Sequence, residues 1–346
     1  MDKSKKTSWK DHLLKSGLPL EFEVSKFLDS KHCISKMEYT YLRSNENNVD
    51  TEFSYDIDST YINGNHYMDL MIECKYRHES TKWIFLPDSY NSPDFIEETS
   101  FMHLINHFME DCEPEIKFPV SFGPLCSKGI ELTTDGPNPK TITQAINQLS
   151  YAMAGKIVEA IESQSGRQKY ACFKTTSFYY IPIIITTAQL YRIREDVDIE
   201  AIKLSDDIEN ISTCEPYLII NSKPGSDLFK YNMDLIRNFV FTMEKDHLQS
   251  SLNTYSDDLW FVLSNLARNQ CPNSILVIHH DKSNKGLADL FDYLDRVINP
   301  DQEIFDIIAS KEKESEEFFK KFEEDHPGVN LWGSLDDEDE QLAKKE

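Results

Sequence analysis

The sequence predicts an α/β protein: a mixed sheet flanked by helices, with additional α/β elements toward the C-terminus. Three observations carry that prediction. An amphipathic helix and a set of hairpin-spaced strands occupy the stretch before residue 80. A long one-faced helix over 141–163 leads into a strongly β-branched segment over 179–193. Beyond residue 195, helical and strand periodicities alternate.

Taken in order, Met1–Lys10 is polar and lacks the apolar stretch of a secretory signal, and the opening dozen residues read as a loose arm. Leu18–Lys31 reads as a helix, with Leu20, Val24, Phe27 and Leu28 at i, i+4, i+7 and i+8 on one face. Strands are expected over Met37–Arg43, Glu52–Tyr61 and Tyr67–Arg77, separated by the turn residues 44–48 and by Asn63-Gly64-Asn65. Trp83–Leu86 reads as a fourth short strand. Residues 88–140 read as an insertion, with a helix near Glu97–Glu110 and a Pro/Gly-rich end at 135–139. The helix Thr141–Ser163 places Ile142, Ile146, Leu149, Met153 and Ile157 on its buried side, and Tyr179–Ile193 reads as one interior strand. A strand (Tyr217–Asn221), two helices (Leu228–Lys245, Asp257–Arg268), a strand (Ser274–His279) and a helix (Lys285–Ile298) follow, either extending the first sheet or forming a second layer. The expected organisation is a core over 1–200, added elements over 201–310 and an acidic, flexible tail over 311–346, fraying from about Glu312.

Composition narrows the function. No apolar run approaches the roughly 20 residues of a membrane helix, so a soluble, cytoplasmic protein is expected. Seven cysteines lie scattered without a CxxC pair, which argues against a disulfide framework or a thiolate zinc site. The net charge of −24 speaks against a nucleic-acid partner. Its distribution softens the objection: acids cluster after Lys311, whereas Lys3, Lys5, Lys6, Lys10, Lys15, Lys26, Lys31 and Lys36 crowd the beginning.

The chemistry concentrates in Tyr67–Arg77. Side chains alternate along a strand, so Asp69, Met71, Glu73, Lys75 and Arg77 point one way and Met68, Leu70, Ile72, Cys74 and Tyr76 the other. On the preceding strand Asp56 and Asp58 share a face, and the turn allows Asp58 to pair across from the Glu73 region. Carboxylates gathered with an ammonium suit phosphodiester hydrolysis, because Mg²⁺ takes oxygen ligands and activates water. Lys75 would orient or help deprotonate that water.

Asp56-Ile57-Asp58, then a hairpin, then Ile72-Glu73-Cys74-Lys75 resembles the PD-(D/E)XK nuclease signature, in the form of Mrr-type restriction endonucleases. Gly17–Val24 is similar to that family's first helix, whose Glu can join the metal shell, and Gln144–Gln148 opens a helix where some relatives place a Gln near the site. The resemblance covers 17–77 by motif and 141–193 by order of elements. It implies a restriction endonuclease-like fold and an endonuclease that uses Mg²⁺ or Mn²⁺ on DNA. It also implies Asp58 and Glu73 as metal-binding acids, Lys75 as catalytic lysine, Glu21 as the helix acid and the Cys74 carbonyl as an extra metal ligand. Asp58 is preferred to Asp56 on the family's Ile-Asp step; Glu23 competes with Glu21, and an ordinary first-turn acid is the plain alternative for Glu21. A homodimer or a protein partner stays open.

Other features are set lower. Pro87-Asp88 follows the Glu73–Lys75 motif instead of preceding it, and Glu115-Ile116-Lys117 lacks an apolar strand before it. His103 and His107 stand one helical turn apart but lack the Glu of HExxH, so a zinc enzyme ranks last. His279-His280-Asp281 reads as structural. Trp83, Phe85 and Tyr90 could stack on bases, with packing the default. Gln144, Gln148 and Tyr151 read as a solvent-facing stripe. The main rival is a non-catalytic binding protein that keeps the fold, favoured by the acidic surface.

Overall fold

The computed structural model describes residues 8–44, 50–88, 101–105, 121–167, 176–222, 224–243, 259–269, 271–272 and 274–326. The described part of the opening arm, from Trp9 on, is helical: α1 (Trp9–Lys15) begins with a capping box in which Ser8 and Asp11 satisfy each other's backbone amides. α2 (Leu18–Ser30) starts after Gly17, which takes the left-handed φ of +85°, and buries Leu20, Val24 and Leu28. β1 (Ile34–Ser44), β2 (Asp50–Asn63) and β3 (His66–Lys75) form an antiparallel meander, and β4 (Lys82–Pro87) follows.

The stretch expected as an insertion contributes to the sheet through β5 (His103–Ile105), β6 (Leu125–Thr133) and β7 (Gly136–Asn138). The helix expected near Glu97–Glu110 is replaced at 103–105 by a strand paired with Phe178–Tyr180; the rest of it lies outside the described residues. α3 (Lys140–Arg167) matches its prediction. The single strand expected over 179–193 is two, β8 (Ser177–Thr186) and β9 (Gln189–Ile193), divided by a bend at Thr187-Ala188.

The remaining elements are α4 (Ile199–Leu204), β10 (Ser212–Glu215), β11 (Tyr217–Asn221), α5 (Ser226–Thr242), α6 (Leu259–Asn269), β12 (Ser274–His279), α7 (Lys285–Ile298) and α8 (Gln302–Asp325). α8 corrects the expectation of fraying from Glu312. Asp301 caps it by accepting the Ile304 amide at 3.0 Å, and Ile304 anchors it in the core. Residues 327–346 lie outside the described residues.

Among the described residues the strands form one mixed 12-stranded sheet in the order β1-β2-β3-β8-β12-β11-β6-β4-β9-β10, with β5 on β8 and β7 on β6. The elements after residue 200 therefore extend the first sheet from within, since β12 and β11 bridge β8 to β6. β3, β8 and β12 run parallel, so Lys75, Thr186 and His279 end at one edge. Every residue of β8 is buried, as a strand covered on both faces requires. One face packs on α3, α5 and α6 through Met71, Leu149, Ile157, Ile184 and Leu263; the other packs on α2 and α7 through Val24, Leu28, Ile72, Ile183 and Leu290. Among the described residues no helix is long and apolar enough to cross a membrane.

Candidate functional site

The site forms where β2 parts from β3. The two strands pair from Asn63↔His66 up to Ile57↔Ile72, and β1 pairs with β2 through Met37↔Ile57 and again from Tyr39↔Tyr55. Asp56 takes part in neither ladder. Opposite it, Glu38 has φ +59°, a left-handed conformation rare outside glycine. This break defeats strict alternation: Tyr55 joins the α3-side core while Ile57, two residues on, joins the α2-side core. Irregularities of this kind re-aim side chains and recur beside active sites.

The freed Asp56 carboxylate turns to the end of β3 and accepts the Cys74 amide at 2.6 Å. Glu73 is 1 % exposed; its Oε1 is paired with Lys75 Nζ, and its Oε2 is buried without a hydrogen-bond partner. Burial first, and then the neighbouring Asp56, push the Glu73 carboxyl up to about 7, against the pull of Lys75. Asp56 is raised by burial, offset in part by the Cys74 amide and Lys75. Glu21, from the first turn of α2, is raised by burial and by Asp56. One ammonium thus faces several carboxylates, and each of these acids holds its proton more tightly than it would in water.

Lys75 Nζ also donates to Gln148 Oε1 at 3.2 Å, while Gln148 Nε2 donates to the Ser54 carbonyl at 3.0 Å. The solvent-facing reading of the helix stripe therefore fails at Gln148, which bridges the lysine to β2, and at Tyr151, which is buried; Gln144 is exposed as expected. Cys74 lies between Glu73 and Lys75 with its strand paired to β8 at Ile185, and burial holds its thiol well above the usual range.

Asp58 makes a different set of contacts from Asp56. It accepts the Tyr55 hydroxyl at 2.7 Å and pairs with Lys156 of α3 at 3.0 Å, and Lys156 also lies 3.7 Å from Asp69. Of the two α2 glutamates, Glu23 pairs with His280 at 2.9 Å, while Glu21 lies in the electrostatic field of Asp56 and Lys75. Glu38 is an acid that sequence reasoning missed, since only the backbone break brings it near Asp56. Among the described residues, no group of three His, Cys, Asp or Glu is placed to hold a metal ion.

The lesser candidates fall into structural roles. His103 is buried on β5, a strand in place of the expected helix, and burial pushes its imidazole down to about 4; His107 lies outside the described residues. His279 bonds the Ala188 carbonyl at 2.9 Å. Trp83 and Phe85 are core residues unable to stack on bases, and Tyr90 lies outside the described residues. Trp83 donates to Glu131 at 2.9 Å, joining Arg77, Asn138 and Thr141 around that buried carboxylate. Asp88 accepts from Asn221 at 2.9 Å, and Glu115-Ile116-Lys117 lies outside the described residues. Cys33, Cys74, Cys126, Cys214 and Cys271 are free thiols.

Compared with known proteins, the chain matches no family model, no curated relative and no solved structure.

Proposed function

We propose that the chain is a cytoplasmic, Mg²⁺-dependent endonuclease of the PD-(D/E)XK, restriction endonuclease-like type that hydrolyses phosphodiester bonds in DNA. The observation that carries this reading is Glu73, a buried carboxylate with one oxygen on Lys75 and the other without a partner, next to Asp56. Leaving such an oxygen unsatisfied costs about 1–3 kcal/mol or more, and a cation would remove that cost. The donors are oxygens, which suits Mg²⁺ or Mn²⁺. Glu73 and Asp56 would hold the ion, with the Cys74 carbonyl and Glu21 as further oxygen donors. When bound, it supplies charge stabilisation at the phosphate and makes a coordinated water more acidic.

The chain's own groups do the rest. Lys75 orients the attacking water and offsets charge on the phosphate. Gln148 shares the ammonium with Glu73 and so fixes its direction. Asp56 ties the cluster to the backbone of β3.

Incubating supercoiled, linear and single-stranded DNA, and RNA, with Mg²⁺, Mn²⁺ or EDTA tests the reading. Cleavage that needs the metal and vanishes in Lys75→Ala supports it; cleavage indifferent to that substitution, or none with any metal, rejects it.

A second reading, a binding protein that keeps the fold without catalysis, is favoured by the net charge of −24, which suits a protein partner better than a phosphate backbone. Calorimetric titration with Mn²⁺ separates the two. Binding that Glu73→Gln abolishes favours the enzyme, and no binding favours the alternative.

A further inference from the structure

We propose that Arg43 is a second phosphate contact of this site, laying the DNA backbone along the two-stranded ribbon that runs past the end of β3. The inference rests on the nuclease reading and names where that substrate lies. β2 leaves β3 at Ile57, yet β1 and β2 stay paired to Ser44↔Asp50, so a ribbon projects beyond Glu73 and Lys75. Tyr39, Tyr41 and Arg43 alternate along one face of it. The Tyr41 hydroxyl donates to the Gln148 carbonyl at 3.0 Å, and Gln148 is the residue that accepts from Lys75. Tyr151, three positions further along α3 and on the same helical face as Gln148, lies under Arg43, whose guanidinium carbon is 3.8 Å from the ring centroid. Tyr231 braces that ring edge-on at 5.0 Å and donates to the Leu42 carbonyl at 3.3 Å. The ribbon, Arg43 and Lys75 are thus tied together through α3.

Arg43 also differs from most other arginines of the described residues. Arg77, Arg192, Arg194, Arg237 and Arg296 each face an acid. Among the described residues no carboxylate pairs with Arg43, in a chain that carries 60 acidic residues against 36 basic ones. Stacking fixes the plane of a guanidinium and leaves its N–H edge free, the arrangement that takes a phosphate in bidentate fashion. Burial raises the Tyr41 hydroxyl, which also feels the Arg43 charge and, in the opposite sense, the Glu73 carboxylate. A guanidinium kept for packing alone would serve equally well as a lysine or glutamine stem, and the experiment exploits that difference.

Fluorescence anisotropy of a short labelled DNA, single-stranded and duplex, is measured in Ca²⁺ over a salt series for the full chain, Arg43→Lys and Arg43→Gln, with thermal melting as the folding control. We expect Arg43→Gln to bind about tenfold more weakly, the loss of one charge-assisted contact. Its log–log salt slope on duplex should be shallower by about 0.9. Arg43→Lys should recover the slope but only part of the affinity. Mn²⁺ binding measured by calorimetry should be the same in all three. Unchanged affinity and slope in Arg43→Gln overturns the Arg43 contact while leaving the nuclease reading intact. Arg43-dependent binding without metal-dependent cleavage keeps the contact and rejects the nuclease. RNA bound in preference to DNA, or no nucleic acid bound, overturns both.

Discussion

Asp56 accepts the backbone amide of Cys74 at 2.6 Å, at the point where its own strand parts from β3 and skips one pair with β1. The bond joins the end of the motif strand to an acid that alternation alone would have sent elsewhere. It also separates two aspartates, Asp56 and Asp58, that differ by one turn of the strand pleat and by everything around them.

Exchanging each for asparagine should expose that difference. Asp56→Asn keeps an acceptor for Cys74 but removes a charge, so Mn²⁺ affinity and cleavage should fall by about 10²-fold or more, a loss comparable to that of a positioned catalytic group, with the urea midpoint little changed. Asp58→Asn leaves Lys156 short of a partner, with only Asp69 at 3.7 Å. It should cost about 1–3 kcal/mol of stability and leave Mn²⁺ binding unchanged. The opposite pattern in calorimetry and urea unfolding would restore Asp58 as the site acid.

Protonation gives a second test. The folded-state pKa of Glu73 is raised from 4.5 to about 7, so the metal-free fold binds an extra proton relative to the unfolded chain. Stability from this group is fully present below pH 4.5 and is lost as pH rises through 7. Asp56 and Glu21, also raised, act in the same sense. His103 acts in the opposite sense, its contribution lost as pH falls from 6.5 to about 4. The readout is therefore the difference between the parent and Glu73→Gln. The substitution should flatten the decline and raise metal-free stability above pH 7 by roughly 1–3 kcal/mol, measured by denaturant unfolding in EDTA. Mn²⁺ affinity in the parent should rise with pH over the same range, because ion and proton compete for one carboxylate.

The lysine and its glutamine divide the catalytic loss. Lys75→Ala should lower kcat by about 10²–10⁴-fold with an unchanged circular dichroism spectrum. Gln148→Ala should lower it by roughly tenfold, since the ammonium keeps its charge and its Glu73 partner and loses one charge-assisted bond to a neutral acceptor. A Gln148 variant as impaired as the Lys75 variant would assign the glutamine a direct role.

Glu131 provides the contrast of a buried acid with both oxygens satisfied. Arg77, Trp83, Asn138 and Thr141 satisfy both of its oxygens, and despite burial these hydrogen bonds hold its carboxyl below the usual range. Glu131→Ala should cost about 3–5 kcal/mol, as expected when one partner of a buried pair is removed, and leave calorimetric Mn²⁺ binding intact.

Much of this architecture was legible in the sequence because its strands obey simple periodicity. The helix at 18–30, the meander at 34–75 and the run from Tyr217 to Ile298 follow from apolar spacing and turn residues. Glu73 and Lys75 were legible for the same reason, since β3 is regular to its end. The bond from the Cys74 amide to Asp56 was not legible, because the break at Glu38 and Asp56 has no signature: neither residue is the glycine that would announce a left-handed backbone. Gln148 was placed on the wrong side because helical spacing fixes a face but not the neighbour that meets it. His103 was read as helical from a spacing that its short strand does not share.

The position of β11 and β12 between β8 and β6 has a consequence for biosynthesis. A nascent chain that has left the ribosome only to residue 200 already contains Glu21, Asp56, Glu73, Lys75 and Gln148. It still lacks the two strands that bridge the halves of the sheet, and β8 presents a raw edge where β12 will dock. That end of the sheet is completed only when β12 pairs with β8 and brings His279 beside Thr186, so the edge next to Lys75 depends on a strand laid down far later in the chain.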